Sequence, residues 1–292
     1  MLFWAKAKSA LVAVSAAAAL VVVNGILFTG GGGSSGLSAS SRVEAAVVDR
    51  GVDVPSLESS GEITWNSDLL GHWSLDDDKV AEAAGRAAGK VVGGVTWVDG
   101  RLGGAATFDG KGGHVQLPNS EALDKVQEGS YTIAAWFKPE DAPPGKDAEN
   151  NANYGIVIKT GWHLGLYYSG EQKFVMTHWV AGAKPEEPEW KGAGTWEDVC
   201  PAGTWYHVAG VVDRAAGKVA IYLNGELKSE AEFTPNAKAH EYAQQPWRVG
   251  IGGPDFQEWG WSAKGSVDDV RIYGKALPAA DLKALFEAAP KK

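Results

Sequence analysis

Two consecutive β-strands are predicted between residues 204 and 225, and they constrain the fold more than any other stretch of the chain. Residues 205–213 are apolar at nearly every position on both alternating sets, which is typical of a strand covered on both faces. Residues 218–223 form a second strand, and Asn224-Gly225 then predicts a type I′ turn, because both central positions of that turn need a positive φ. The chain must therefore supply apolar partners for both faces of the first strand.

The region from about residue 64 onward has the same character throughout. Short β-rich runs alternate with glycine-rich turns about every ten residues, which predicts an all-β sandwich or jelly roll. The predicted strands cover residues 71–75, 105–108, 114–117, 131–138, 154–159, 163–168, 173–178, 205–213, 218–223, 247–251 and 265–273. One helix is predicted at residues 281–288, since Leu282, Leu285 and Phe286 fall on one helical face.

The first 29 residues predict a membrane segment. Lys6 and Lys8 precede an apolar run over residues 10–28, which as a helix would span about 30 Å, the thickness of a bilayer's hydrocarbon core. The lysines place the start in the cytoplasm and the following domain outside it. The residues after the run are poor signal-cleavage residues, so we predict a signal anchor. A cleaved signal peptide and a secreted or periplasmic protein are the alternative.

A flexible tether is predicted after this segment, at residues 30–65. It opens on Gly30-Gly-Gly-Gly-Ser-Ser-Gly36, a linker composition, and the globular domain is predicted at residues 66–288. The net charge of −9 argues against a nucleic-acid partner, which selects basic surfaces.

Five motifs occur in a fixed order along the domain. They are Gly71-His-Trp-Ser-Leu-Asp-Asp77, Gly100-Arg-Leu-Gly-Gly-Ala-Ala-Thr-Phe-Asp-Gly110, Thr132-Ile-Ala-Ala-Trp-Phe-Lys-Pro139, the strand pair at 205–223, and Gly265-Ser-Val-Asp-Asp-Val-Arg-Ile-Tyr273. Together they resemble the laminin-G-like, concanavalin A-like lectin/glucanase family. The resemblance implies an antiparallel jelly-roll β-sandwich of two sheets and a function in binding rather than catalysis.

Several aromatic residues of these motifs are expected to fill the space between the two sheets, because they alternate with polar neighbours. They are Trp73, Phe108, Trp136, Trp205, Tyr222 and Tyr273.

Clustered carboxylates suggest a structural calcium ion. Asp76 and Asp77 end the first predicted strand and Asp268 lies near the start of the last, and such strands are often neighbours in a sandwich. Ca²⁺ takes six to eight oxygen ligands, and the family resemblance implies a calcium site near Asp76 and Asp268. The family's acidic segment downstream is replaced here by residues 83–89, which carry no acid. The alternative is a solvated turn whose carboxylates accept main-chain amides.

Thirteen tryptophans exceed what a core of this size buries, so exposed rings for stacking on sugars are expected. Tryptophans in long loops are the best candidates, and residues 183–204 are predicted to form such a loop. The candidate ligand-binding residues are Trp162, Trp179, Trp190, Trp196, Trp259 and Trp261. The alternative is a lid over a satellite apolar cluster.

Catalytic patterns are weak in this chain. Glycoside hydrolysis needs two carboxylates at a defined separation, and the Glu-x-Asp-x-x-Glu strand of glucanases with this fold does not occur. We therefore predict a non-catalytic, extracytoplasmic module that binds carbohydrate. A protein-interaction or adhesion module is the alternative, and a glycoside hydrolase is a more distant one.

Overall fold

A computed structural model describes residues 68–83, 87–144, 153–159, 164–182, 188–240, 245–252 and 261–289. They belong to a unit that spans Leu57–Lys292. The predicted signal anchor and tether lie outside the described residues. Among the helices that the structure does describe, none has the length and apolar character needed to cross a bilayer.

Fifteen strands and two short α-helices make up the described part of the chain. Strands β1 to β8 are Leu69–Trp73, Lys90–Val92, Val95–Asp99, Gly104–Asp109, His114–Gln116, Tyr131–Pro139, Asn153–Ile158 and Gly165–Ser169. Strands β9 to β15 are Phe174–Val180, Glu189–Gly194, Tyr206–Asp213, Lys218–Leu223, Glu226–Glu232, Arg248–Val249 and Lys264–Tyr273. Helix α1 is Glu121–Asp124 and helix α2 is Ala279–Glu287, and a 3₁₀ turn at Val126–Glu128 follows α1.

The strands form two antiparallel sheets, which confirms the predicted all-β jelly-roll sandwich. The first sheet has the order β13-β12-β11-β6-β15-β4-β3, with β1 paired to β15. The second sheet has the order β10-β9-β8-β7-β14-β5-β2. The pairing of β1 with β15 confirms that the first and last strands are neighbours.

The main core lies between the two sheets and includes Trp73 and Phe108, as predicted. Strand β11 contributes Val208 and Val212 to this core. On its opposite face, Ala209 and Val211 pack in a second cluster with Leu282 and Leu285 of helix α2. Both faces of β11 are therefore covered, as its sequence requires, and the second cover is a helix rather than a sheet.

Four of the aromatic residues expected between the sheets are absent from the main core. Tyr273 and the partly buried Tyr222 belong to the cluster beneath α2, and the Trp136 ring lies 5.7 Å from the ring of Phe286 in that helix. Trp205 is only half-buried, just before β11. Strand alternation shows which residues share a face, but it does not show that a terminal helix will cover the outer face of the first sheet.

The predicted loop at residues 183–204 was wrong in part, because it contains strand β10. This strand pairs along its whole length with β9, from Glu189↔Val180 to Gly194↔Val175. Its two glycines weaken the strand signal in the sequence, while main-chain hydrogen bonds to β9 hold it at the sheet edge. Strands β2, β3 and β13 were also not predicted, since they are short or rich in charged residues.

The turn between β12 and β13 confirms the type I′ prediction. Asn224 and Gly225 have φ values of 52° and 79°. The Asn224 side chain accepts a hydrogen bond from the main-chain N–H of His207 at 3.0 Å, which ties the turn to β11.

Buried neutral histidines should make the fold sensitive to acid. Burial lowers the pKa of His207 and of His178 to about 4, whereas histidine in an unfolded chain titrates near 6.5. Between these values the unfolded chain binds the extra protons, so the free energy of unfolding should fall as pH drops from about 6.5 towards 4. The loss should reach about 1.4 kcal/mol per pH unit for each histidine.

Urea denaturation of the wild type and of His207→Phe at several pH values measures this effect. The variant keeps an aromatic ring against Trp136 and Phe286 and should show a shallower loss between pH 6.5 and 5. An unchanged slope would show that the pKa of His207 is the same in the folded and the unfolded chain, and would contradict the lowered pKa.

Candidate functional site

The outer face of the second sheet carries a group of aromatic side chains at strands β8 to β10. On β9, Phe174, Met176 and Val180 point into the main core, so Val175, Thr177 and Trp179 point outward. The cross-strand register places Tyr167, Trp190, Gly192 and Gly194 on the same outer side. We call Tyr167, Trp179, Trp190 and Trp196 the outer aromatic face.

Trp190 lies flat along the edge strand. A Cβ atom on Gly192 would fall 2.1 Å from Cζ2 of the Trp190 ring, so the ring rests directly on this glycine. The indole Nε1–H donates a hydrogen bond to Thr177 Oγ1 at 2.8 Å. The ring is thereby fixed in orientation, yet 43% of the residue stays exposed.

Trp196 lies two residues beyond the end of β10 and repeats this arrangement. A Cβ atom on Gly194 would lie 2.6 Å from Cη2 and Cζ2 of its ring, and 46% of the residue is exposed. The Trp196 carbonyl accepts a hydrogen bond from the Lys173 ammonium group at 3.0 Å, which anchors the main chain beneath the ring. Both tryptophans thus present one open face to solvent and rest the other on a glycine.

Trp179 extends the row towards the centre of the sheet. It stands directly opposite Trp190 in the β9–β10 register and is half-buried. On its other side, the main-chain N–H of His240 donates to the Trp179 carbonyl at 3.0 Å, next to an isolated bridge between Val180 and Ala239. Trp190, Trp179 and His240 therefore lie side by side across three neighbouring segments.

Trp261, another predicted ligand-binding residue, does not offer an open ring to solvent. Trp261 is only 6% exposed, and its ring packs 5.1 Å from that of Tyr167. Its ring is therefore a packing partner of the outer aromatic face, not an open stacking surface. Trp162 and Trp259 lie outside the described residues.

Two of the three predicted calcium ligands meet at one turn. Asp268 Oδ2 accepts hydrogen bonds from the main-chain N–H groups of Arg101 at 2.6 Å and Leu102 at 2.8 Å. Asp76 Oδ1 accepts one from Gly104 at 2.7 Å. Asp268 is fully buried and its Oδ1 has no partner, and burial raises the pKa of this carboxyl to about 6, with Asp269 and Asp76 adding to the effect.

The neighbouring acids point elsewhere. Asp77 Oδ1 accepts from the main-chain N–H of Lys79 at 3.0 Å in an exposed turn. Asp269 sits at a β-bulge with φ 52° and contacts His72 Nε2 at 2.5 Å and Arg271 at 3.1 Å. No group of three His, Cys, Asp or Glu side chains arranged to hold a metal occurs within the described ranges.

The comparison with protein families identifies the chain. Residues 109–283 match the model of the concanavalin A-like lectin/glucanases superfamily, Laminin_G_3. The chain belongs to this family. A comparison with curated proteins found no match.

Solved structures share the fold. Domain 4 of AbnA, a GH43 extracellular arabinanase from Geobacillus stearothermophilus, in complex with arabinotriose, has a TM-score of 0.51 and 22% identity, covering 75% of this chain and 98% of that one. The binding domain of Paraclostridial Mosquitocidal Protein 1 has a TM-score of 0.59 and 17% identity, covering 77% and 53%.

The binding domain of botulinum neurotoxin DC, in complex with SialylT, has a TM-score of 0.55 and 14% identity, covering 77% of this chain and 52% of that one. Our chain therefore covers only about half the length of each of the two toxin binding domains. At these identities the similarity shows a shared fold.

Sequence reasoning missed the features that orient the tryptophans. Thr177, Gly192 and Gly194 were not singled out, although Trp190-Lys-Gly192 and Gly194-Thr-Trp196 both place a glycine two residues from a tryptophan. In a strand, residues two apart lie on the same face, so this spacing could have identified the glycines on which the tryptophan rings rest.

The contact between Gly192 and Trp190 can be tested directly. Gly192→Ala should displace the Trp190 ring and break its hydrogen bond to Thr177, because the new methyl group and the ring cannot occupy the same space. The indole N–H signal of Trp190 in a ¹⁵N–¹H NMR spectrum should move, with the fold retained. Gly94→Ala is the matched control, since its Cβ would meet nothing closer than 3.9 Å. An unmoved Trp190 signal would contradict this geometry.

Proposed function

We propose that this protein is a non-catalytic binding module that recognises carbohydrate on its outer aromatic face. The observation that carries the proposal is the pair of exposed tryptophan rings, each seated on a glycine and open on one side. A sugar ring has an apolar C–H face that stacks on a flat aromatic surface, and its hydroxyl groups need polar partners at the edge.

The spacing of the rings suits an oligosaccharide. The two rings lie over Gly192 and Gly194, which are about 7 Å apart along the strand at ~3.3 Å per residue. Successive sugar units could therefore stack on successive tryptophans. The arabinotriose complex of the structurally similar AbnA domain supports this choice of ligand class.

A polypeptide partner is the second candidate, because other apolar side chains are exposed near Trp196. Val199 is 64% exposed and Leu227 is 48% exposed. The two segments that carry them are joined by an ion pair between Lys228 and Asp198 at 3.5 Å. A surface that combines exposed apolar side chains with an ion pair would suit the binding of an apolar side chain of a partner protein.

We propose an extracytoplasmic location on the N-terminal sequence alone. Lys6 and Lys8 before an apolar run of membrane-spanning length support a single-pass anchor with this domain outside the cytoplasm.

We also propose a structural calcium ion at Asp76 and Asp268. The unpartnered Oδ1 of buried Asp268 is a free oxygen ligand, and Asp76 shares the turn at residues 101–104. Ca²⁺ would neutralise a carboxylate that burial otherwise disfavours, with main-chain carbonyl oxygens completing its ligands. Asp77 remains a predicted ligand, on the adjoining exposed turn.

The carbohydrate proposal predicts a loss of binding when either exposed ring is removed. On a glycan array and by calorimetry with the strongest glycan, Trp190→Ala and Trp196→Ala should each weaken affinity about tenfold, near 1.4 kcal/mol. Val98→Ala is the matched control, because Val98 is exposed on β3 of the first sheet. Absence of glycan binding, together with capture of a purified polypeptide ligand that needs Trp196, would replace this function with the second candidate.

The calcium proposal predicts a thermal shift. Adding Ca²⁺ should raise the unfolding midpoint of the wild type, because an ion that binds only the folded state stabilises it, by about 2.7 kcal/mol at one hundred times its dissociation constant. Asp268→Asn should abolish the shift, and the exposed Asp109→Asn should keep it. If neither calcium nor a chelator changes the unfolding midpoint of the wild type, the protein has no structural calcium ion.

A further inference from the structure

We propose that the glycan is acidic, and that a carboxylate on one of its sugars binds in a cavity at the end of the sandwich beside Trp179. This inference rests on the proposed carbohydrate function and names its ligand class. The cavity has a volume of about 240 Å³ and is lined by Gln127, Glu128, Arg214, Lys238, Ala239 and His240.

Arg214 is held rigidly at this cavity. Its Nε donates to the Ala237 carbonyl at 3.1 Å, one terminal nitrogen to the Glu128 carbonyl at 2.6 Å, and the other to the Asn236 carbonyl at 3.1 Å. A guanidinium has five N–H donors, so two remain after these three bonds. All three partners are neutral carbonyls, and the positive charge keeps its attraction for an anion.

Gln127 adds a polar group that the protein itself does not satisfy. Only 7% of this residue is exposed, and its Oε1 has no hydrogen-bond partner. A buried amide oxygen without a partner costs free energy, and a ligand hydroxyl group would satisfy it. The cavity wall thus combines donors for an anion with an acceptor for a hydroxyl group.

The charge at the cavity contrasts with that of the whole protein. Arg214 and Lys238 bring two cations to one small site, and His240 adds a third basic side chain, in a chain of net charge −9. Glu128 is exposed, and it reaches Arg214 through its main-chain carbonyl. Burial lowers the pKa of the buried His178, and the positive charge of Arg214 lowers it further.

His240 links the cavity to the outer aromatic face. It lines the cavity and lies beside Trp179, which in turn stands opposite Trp190. Neighbouring strands are about 4.8 Å apart, so Trp190 and His240 are separated by about 10 Å. A sugar stacked on the tryptophans could place the next unit at the cavity mouth.

The chemistry of the cavity selects a carboxylated sugar. Guanidinium and ammonium groups bind carboxylates through charge-assisted hydrogen bonds, and Gln127 would accept from a ring hydroxyl. The volume is below the ~300–1,000 Å³ of pockets that enclose drug-sized ligands, so it suits one sugar unit or its acid group.

An array of neutral oligosaccharides and uronic-acid oligosaccharides, each acidic member paired with its carboxyl-reduced form, tests the inference on the full chain. We expect acidic members to bind at least tenfold more tightly than their reduced forms at low salt. Equal binding of both forms would overturn the inference and leave the carbohydrate function standing. Binding to no glycan would overturn both.

Substitutions can distinguish the contribution of the cavity to binding from that of the outer aromatic face. Arg214→Gln should remove most of the preference for the acid, and Lys238→Gln should reduce it about threefold without touching the three carbonyl contacts of Arg214. Lys111→Gln, which removes an equal charge from an exposed turn, should leave the preference unchanged. Trp190→Ala should weaken acidic and reduced forms alike. Full preference retained in both Arg214→Gln and Lys238→Gln, with wild-type unfolding midpoints, would overturn the assignment of the carboxylate to this cavity.

Discussion

The register of β10 on β9 is the constraint on which the outer aromatic face depends. Side chains alternate between faces, so a slip of one residue would turn Trp190 into the core and bring Ala193 to the surface. Ala193 is fully buried opposite Met176, and the small space it fills would not hold an indole ring. The hydrogen bond from Trp190 to Thr177 adds a side-chain contact across the same pair of strands. The packing of the core-facing residues of β10 therefore determines which side chains are available to bind a ligand on its outer face.

Two polar sites of the described sandwich join segments that lie far apart in the sequence. At one turn, Asp76 and Asp268 bring the first strand and the last strand together through the amides of residues 101–104. At another position, Arg214 joins the segment after β11 to the segments at Glu128 and Asn236. Both are polar junctions between chain segments far apart in sequence, and each leaves unused hydrogen-bonding capacity: Oδ1 in Asp268, and two N–H groups in Arg214.

The sequence predicted the fold well, because strand alternation, the Asn224-Gly225 turn and five ordered motifs act locally and agree with one another. It predicted the site less well. Trp190 and Trp196 were chosen for loop composition, yet Trp190 lies on an edge strand, and Trp261 is buried against Tyr167. Arg214 and Gln127 were not singled out, since nothing in their local sequence shows that segments far apart in the chain will line one cavity. Such sites arise from tertiary contacts, which single-chain patterns do not encode.

A crystal structure of the protein with a bound oligosaccharide would show directly whether sugars stack on the outer aromatic face. We expect a sugar ring stacked against Trp190 or Trp196 on the side away from Gly192 and Gly194, with the chain of sugars running towards Trp179 and His240. A glycan bound instead on the first sheet, or at the strand-connecting turns with both tryptophan faces left open to solvent, would show that the outer aromatic face is not the binding site.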